Sequence, residues 1–159
     1  MGDIAVCLWF NGDAEAAAEH YVALFPGSGI DAVSRYGDGA PFAAGTALMV
    51  AFHLGDQKMQ ALNGGPHFSF TEAISLSVPC ADQAEIDHYW DGLLAGGGSP
   101  SQCGWLKDRF GVSWQIVPNA LGRWMGSDDK AASGRVMAAF MQMTKFDIAA
   151  LQAAHDGAE

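Results

Sequence analysis

Two glutamines stand in matching apolar surroundings, Gln60 in Met59-Gln60-Ala61-Leu62 and Gln115 in Trp114-Gln115-Ile116-Val117. An amide side chain donates and accepts together, so it can orient a polar ligand or lend one carbonyl oxygen to a cation. The thiols Cys7, Cys80 and Cys103 are odd in number and form no C-x-x-C pair, so neither a disulfide framework nor a zinc ribbon is indicated. Cys103 lies near Lys107, Gln102 and Trp105; a neighbouring cation would favour its thiolate, and a buried inert thiol is the competing reading. His20 and His88 fall in helical stretches and His155 in the tail, whereas His53 ends a strand and His67 sits in a Gly-Gly-Pro-His loop. Gly27-Ser28-Gly29-Ile30-Asp31-Ala32 fits G-x-G-x-x-A, but a dinucleotide fingerprint must follow a strand and open a helix, and this one follows a helix.

The elements that hold these residues repeat. At an offset of 68 residues Val6, Leu8 and Phe10 overlie Ile74, Leu76 and Val78, and His20-Tyr21 overlies His88-Tyr89. Ile4 to Asn11 alternates like a half-buried strand, and Asp13 caps a helix running to about Phe25, where Pro26-Gly27 stops it. In the second copy Ala73 to Pro79 is the strand, and Asp82 with Glu85 opens a helix that Gly96-Gly97-Gly98 closes. Strands over Val33 to Tyr36, Thr46 to Leu54 and Met59 to Leu62 follow the first helix, with Gly55-Asp56 as a hairpin turn. Ser101 to Leu106 and Val112 to Val117 follow the second, flanking Lys107-Asp108-Arg109. The fold class is therefore α+β: two paired βαβββ modules, over about residues 3–65 and 70–118, with C-terminal helices over about 127–155, all within one domain spanning 1–159. In those last helices Val136, Phe140 and Met143 share a face, and Phe146 to Ala154 suits a second short helix. Such a tail packs on the body or on a partner subunit; a soft methionine groove is the alternative.

Alternation also sorts the faces. Ile74, Leu76 and Val78 are apolar and belong beneath the helix, so Ser75 and Ser77 point the other way. The repeat then puts Cys7 and Trp9 on that same side of the first sheet.

With 18 acidic against 8 basic residues the net charge is -10, so nucleic acid and anionic membrane are repelled as partners. The longest apolar run, Ala47 to Phe52, is too short to span a bilayer, no basic stretch precedes the first apolar residues, and Val6 rules out myristoylation of Gly2. A soluble, unprocessed, cytoplasmic protein is expected.

Cys7-Leu8-Trp9-Phe10 with Asn11-Gly12-Asp13-Ala14-Glu15, Ala61-Leu62-Asn63-Gly64-Gly65-Pro66, and the block from Cys103 through Trp105, Lys107, Asp108 and Gly111 to Trp114-Gln115 resemble the PhnB-like branch of the vicinal oxygen chelate superfamily. That superfamily includes glyoxalase I, bleomycin-resistance proteins and extradiol dioxygenases. The resemblance implies paired βαβββ modules forming a cleft, usually in a homodimer. Members of this branch often carry the label 3-demethylubiquinone-9 3-methyltransferase. Metal-dependent relatives supply His and Glu from corresponding strands, and the resemblance puts Cys7 or Val6, Gln60, Ser75 or Ser77, and Gln115 at those places. None is the usual His or Glu, so no metal or other cofactor is expected. The expected ligand-binding residues are Cys7, Trp9, Gln60, Asn63, Ser75, Ser77, Cys103, Trp105 and Gln115.

Three functions remain open. One is binding of a small apolar or aromatic molecule by stacking on Trp and hydrogen bonding to Gln and Ser. Another is a metal-dependent isomerase, lyase or dioxygenase of the glyoxalase type. Methyl transfer to a quinol precursor is the third, although the chain shows no Gly-rich turn after a strand of the kind that takes S-adenosylmethionine in a doubly wound sheet.

Overall fold

In the computed structural model, which describes residues 4–158, the chain divides into two units, one ending at Phe70 and the other starting at Thr71. Gly2, considered above for myristoylation, lies outside the described residues.

The first unit is built from β1 (Val6–Phe10), α1 (Ala14–Leu24), β2 (Gly29–Arg35), β3 (Ala47–Leu54) and β4 (Gln57–Asn63). Its sheet has the order β1-β4-β3-β2, with β1 parallel to β4 and the other pairs antiparallel. The parallel pair needs a crossover, and α1 with β2 and β3 supplies it. Register places Leu8 beside Ala61 and Val6 beside Met59 on one face, and Cys7 beside Gln60 and Trp9 beside Leu62 on the other. Ala14, Ala17, Ala18 and Tyr21 of α1 are fully buried, the small residues letting the helix lie close on Val50, Phe52, Met59 and Ala61.

The second unit holds β5 (Leu76–Cys80), α2 (Gln83–Leu94), β6 (Ser99–Pro100), β7 (Trp105–Lys107), β8 (Ser113–Pro118), and then α3 (Leu121–Met125), α4 (Lys130–Phe140) and α5 (Ile148–Asp156). The sheet order β5-β8-β7-β6 repeats that of the first unit. Asp82 accepts the Glu85 N–H at 2.9 Å, meeting an orphan donor of the first turn of α2, while the Glu85 carboxylate reaches back to accept the N–H of Ala81, just before the cap, at 2.7 Å. Ile86, Trp90 and Leu93 of α2 are buried, as are Leu106, Trp114 and Ile116 on the sheet face below.

Several expected boundaries move. Ile74 precedes β5 and is 64% exposed, so it does not pack beneath the helix; the strand starts at Leu76. β2 begins at Gly29, so most of the G-x-G-x-x-A stretch is strand, with a register break between Ile30 and Ala32. β7 begins at Trp105 and not at Ser101, and α3 is an element that periodicity did not reveal. Met143 falls beyond the end of α4, in a turn whose carbonyl accepts the Cys103 N–H at 2.7 Å.

The helices after β8 dock within their own unit. Gln83 donates to the Phe146 carbonyl at 3.1 Å and accepts the Ile148 N–H at 2.9 Å, and Lys145 pairs with Asp87 at 2.7 Å. Phe146 is buried against Gly104, whose φ of +77° suits a residue without Cβ and where a Cβ would overlap the Phe146 ring.

Candidate functional site

Because side chains alternate along a strand, each sheet has one face under helices and one free of them. On the helix-free face of the first sheet, Cys7 lies beside Gln60, Gln60 beside Ala51, and Trp9 beside Leu62. Trp9 is already engaged, its indole N–H donating to the Gly65 carbonyl at 2.9 Å and its ring meeting Phe68 edge-on at 5.0 Å. Gly64 presses against the same ring, where any Cβ would overlap it. The indole thus pins the loop after β4, and its outer edge is what remains for a ligand. Further along, His53 stands beside Lys58, and its Nδ1 lies 2.9 Å from the Asp31 carboxylate.

The second sheet repeats the arrangement. Ser77 lies beside Gln115, Gln115 beside Trp105, and Lys107 beside Ser113. Gln115 donates to the Ser75 hydroxyl at 2.8 Å. Lys107 pairs with Glu72 at 2.6 Å, and the Lys107 ammonium holds the Glu72 carboxyl below its ordinary range. His53 and Lys107 therefore occupy the same register position relative to the two glutamines, each held by a carboxylate.

Seven of the nine expected residues, Cys7, Trp9, Gln60, Ser75, Ser77, Trp105 and Gln115, fall on or beside these helix-free faces. Asn63 does not. It ends β4 on the helix side, fully buried, where its Oδ1 accepts the Gly12 and Ala14 N–H groups at 2.8 and 3.1 Å and its amide donates to the Ala47 carbonyl at 2.9 Å. Strand alternation decides this: Asn63 is an odd number of residues from Gln60, so the two point to opposite faces. Cys103 also lies off the sheet, in the turn before β7 at φ +58°, with its thiol 3.7 Å from the Phe140 carbonyl.

Asp108 does more than turn the chain. It is buried, and it accepts the Phe110 and Val112 N–H groups at 2.9 and 3.0 Å and the Trp114 indole N–H at 2.8 Å, so it shapes the β7-β8 connection. Glu72, Lys107 and Ser113 were not among the expected ligand-binding residues. For Lys107 and Ser113 the signal lies in the period-2 pattern that puts them on the face of Trp105 and Gln115.

Residues 2–117 match the protein-family model described as 3-demethylubiquinone-9 3-methyltransferase. The chain belongs to that family. It is a PhnB-like chain, and α3 to α5 lie beyond the matched segment. Among solved structures, a PhnB protein from Bacillus cereus, provisionally described as a 3-demethylubiquinone-9 3-methyltransferase, is 33% identical with a TM-score of 0.68, covering 74% of this chain and 99% of its own. A protein from Pseudomonas aeruginosa shares the fold at 23% identity and a TM-score of 0.61, covering 74% of this chain and 98% of its own. No curated protein matches.

The superfamily's metal centre can be tested against these side chains. Cys7, Gln60, Ser77 and Gln115 offer thiol, amide, hydroxyl and amide. Burial pushes the Cys7 thiol up, away from the thiolate that binds metals, and neither amide supplies charge. Among the described residues no three His, Cys, Asp or Glu side chains converge as a ligand set. This PhnB-like chain does not fit a divalent ion at those positions. It also lacks the doubly wound parallel sheet that usually carries S-adenosylmethionine, since each sheet mixes one parallel pair with antiparallel ones. No helix of the described residues is long and apolar enough to cross a membrane.

Proposed function

We propose that this PhnB-like chain binds a small apolar or aromatic molecule against the helix-free faces of its sheets, without a catalytic metal, and acts as a homodimer. The observation that carries this reading is the repeated polar-aromatic pattern. In each sheet a glutamine sits mid-face, Gln60 next to Cys7 and Gln115 next to Ser77, with the indole of Trp9 or Trp105 on the same face. A rigid apolar floor with a few directional polar groups is how small-molecule sites combine affinity with orientation. Trp105 supplies stacking area and Trp9 its outer edge, and a half-buried amide supplies both a donor and an acceptor.

A thermal-shift screen of aromatic and apolar compounds, run on protein treated with a chelator and on protein given Ni, Zn or Mn, tests the reading. The expected result is stabilisation by particular aromatic compounds that is the same in both arms. Elemental analysis of protein purified without a His-tag is expected to find no stoichiometric metal. About one metal per chain, together with hemithioacetal isomerisation restored by added metal, would replace this reading with that of a glyoxalase-type enzyme.

A further inference from the structure

A recess of about 220 Å³ opens in the second unit, lined by Glu72, Ser99, Ser101, Trp105, Lys107 and Ser113 among others. Sheet register explains why these groups converge. Ser99 pairs with Lys107 and Lys107 with Ser113, so all three stand in one row across the helix-free face, and Trp105 beside Gln115 forms the next row. Ser113 is only 2% exposed, yet its hydroxyl has no hydrogen-bond partner. A buried hydroxyl without a partner is uncommon and calls for an explanation. Turning it toward the recess breaks no existing bond.

The recess has a definite chemical bias. An ammonium and three hydroxyls are donors to a ligand, and the one carboxylate, Glu72, is already held by Lys107 at 2.6 Å. An acceptor-rich group is therefore favoured. Glu72 balances the formal charge of the ammonium, so an anion must compete with it for Lys107, and with the chain at a net charge of -10 a monoanion suits the site better than a phosphate dianion. Trp105, one row away, offers an aromatic surface next to that anion.

We propose that this recess takes the carboxylate of an aromatic acid, with Lys107 and Ser113 donating to its oxygens, Glu72 competing for the ammonium, and Trp105 lying against the ring. The proposal rests on the small-molecule reading above and narrows it to aromatic monocarboxylates.

Calorimetric titration of the full chain with benzoate, its neutral isostere benzamide, and acetate tests it. Benzoate is expected to bind about tenfold more tightly than benzamide, the margin of one charge-assisted hydrogen bond, and acetate more weakly than benzoate. Lys107→Met and Ser113→Ala should weaken benzoate more than benzamide, which offers one uncharged carbonyl oxygen to the same donors, while Lys107→Arg keeps part of the benzoate affinity. Glu72→Gln frees the ammonium and should tighten benzoate, a gain that an ion pair serving only the fold would not produce. Thermal melts of each variant establish that it is folded. If benzamide binds as tightly as benzoate, or Glu72→Gln and Lys107→Met both leave benzoate unchanged, the carboxylate assignment falls and small-molecule binding stands. If the wild-type chain takes up none of the three probes and no aromatic compound stabilises it in the screen, both readings fall.

Discussion

Asn63 shows how one side chain can look like part of a binding site and act as a structural joint. A strand ending at Leu62 would leave Asn63 in the loop that follows it. β4 runs through Asn63, and alternation then turns it under α1. There it serves the Gly12 and Ala14 N–H groups at the entrance to the helix, which Asp13 does not cap with its own side chain. Asn63→Ala leaves the Ala14 N–H and the Ala47 carbonyl as buried orphans and the exposed Gly12 N–H to water, and at about 1 kcal/mol or more for each buried orphan the loss should be roughly 2 kcal/mol. Denaturant midpoints followed by circular dichroism would measure it; a loss below about 1 kcal/mol would mean that water replaces the amide. Ser113 gives the opposite sign. Its hydroxyl makes no bond, so Ser113→Ala should leave stability unchanged or raise it by up to about 1 kcal/mol, and a clear loss would reveal a partner that the structure does not show. Gln60, Gln115 and Trp105 were legible because each lies inside an alternating run. Glu72 was not, because it precedes β5 and reaches Lys107 only through the chain's path.

At the scale of elements, the internal repeat was legible but its offset was not. The matched His-Tyr pairs suggested 68 residues, whereas Cys7 beside Gln60 and Ser77 beside Gln115 make Cys7 and Ser77 equivalent, a shift of two along the strand. A two-residue slip keeps every strand side chain on its face, which is why the face assignment survived. A helix is less forgiving, since one residue turns it by about 100°. Tyr21 is fully buried in α1, and its counterpart in α2 is the buried Trp90, while Tyr89 is only partly buried. The tail helices posed a different difficulty: periodicity found α4 and α5, but not the polar joint that seats them. Gln83 bonds both the Phe146 carbonyl and the Ile148 N–H, so Gln83→Ala should cost about 1–2 kcal/mol and raise hydrogen exchange in α5 before it does so in the sheet. The neighbouring Asp87 carboxyl is held below its ordinary range by the Lys145 ammonium and then by Gln83. A depressed carboxyl contributes its full stability above the unfolded value, about 4, and loses it as the pH falls through the lower folded value. Protection of α5 should accordingly drop as the pH falls below about 4, and Asp87→Asn should weaken that dependence. A tail whose exchange stays constant between pH 5 and pH 2 after correction for intrinsic rates would contradict the joint.

At the scale of the whole molecule, the succession of strand and helix patterns made an α+β protein legible, and the repeat gave its two similar sheets. The assembly is the part that the sequence could least decide, because the same apolar residues of a tail serve either a body or a partner. Trp124, Ala132, Val136, Phe146 and Leu151 are all buried within the second unit, so most of the tail's apolar surface is covered by its own chain. What remains is narrower: Met137 at 46% and Met141 at 56% exposure, one helical turn apart at the end of α4. Methionine is flexible enough to pack against a copy of itself, and an isologous contact across a two-fold axis uses such a patch twice. A homodimer through this patch is expected to sediment at micromolar concentration with twice the 16.7 kDa chain mass. Replacing both methionines with lysine should yield the monomer, because like charges would then face each other across the axis, and should leave the melting temperature within a few degrees because neither side chain belongs to the core. A wild-type chain that sediments as a monomer would remove the homodimer. A wild-type dimer unaffected by the double substitution would keep the homodimer and move its contact off α4.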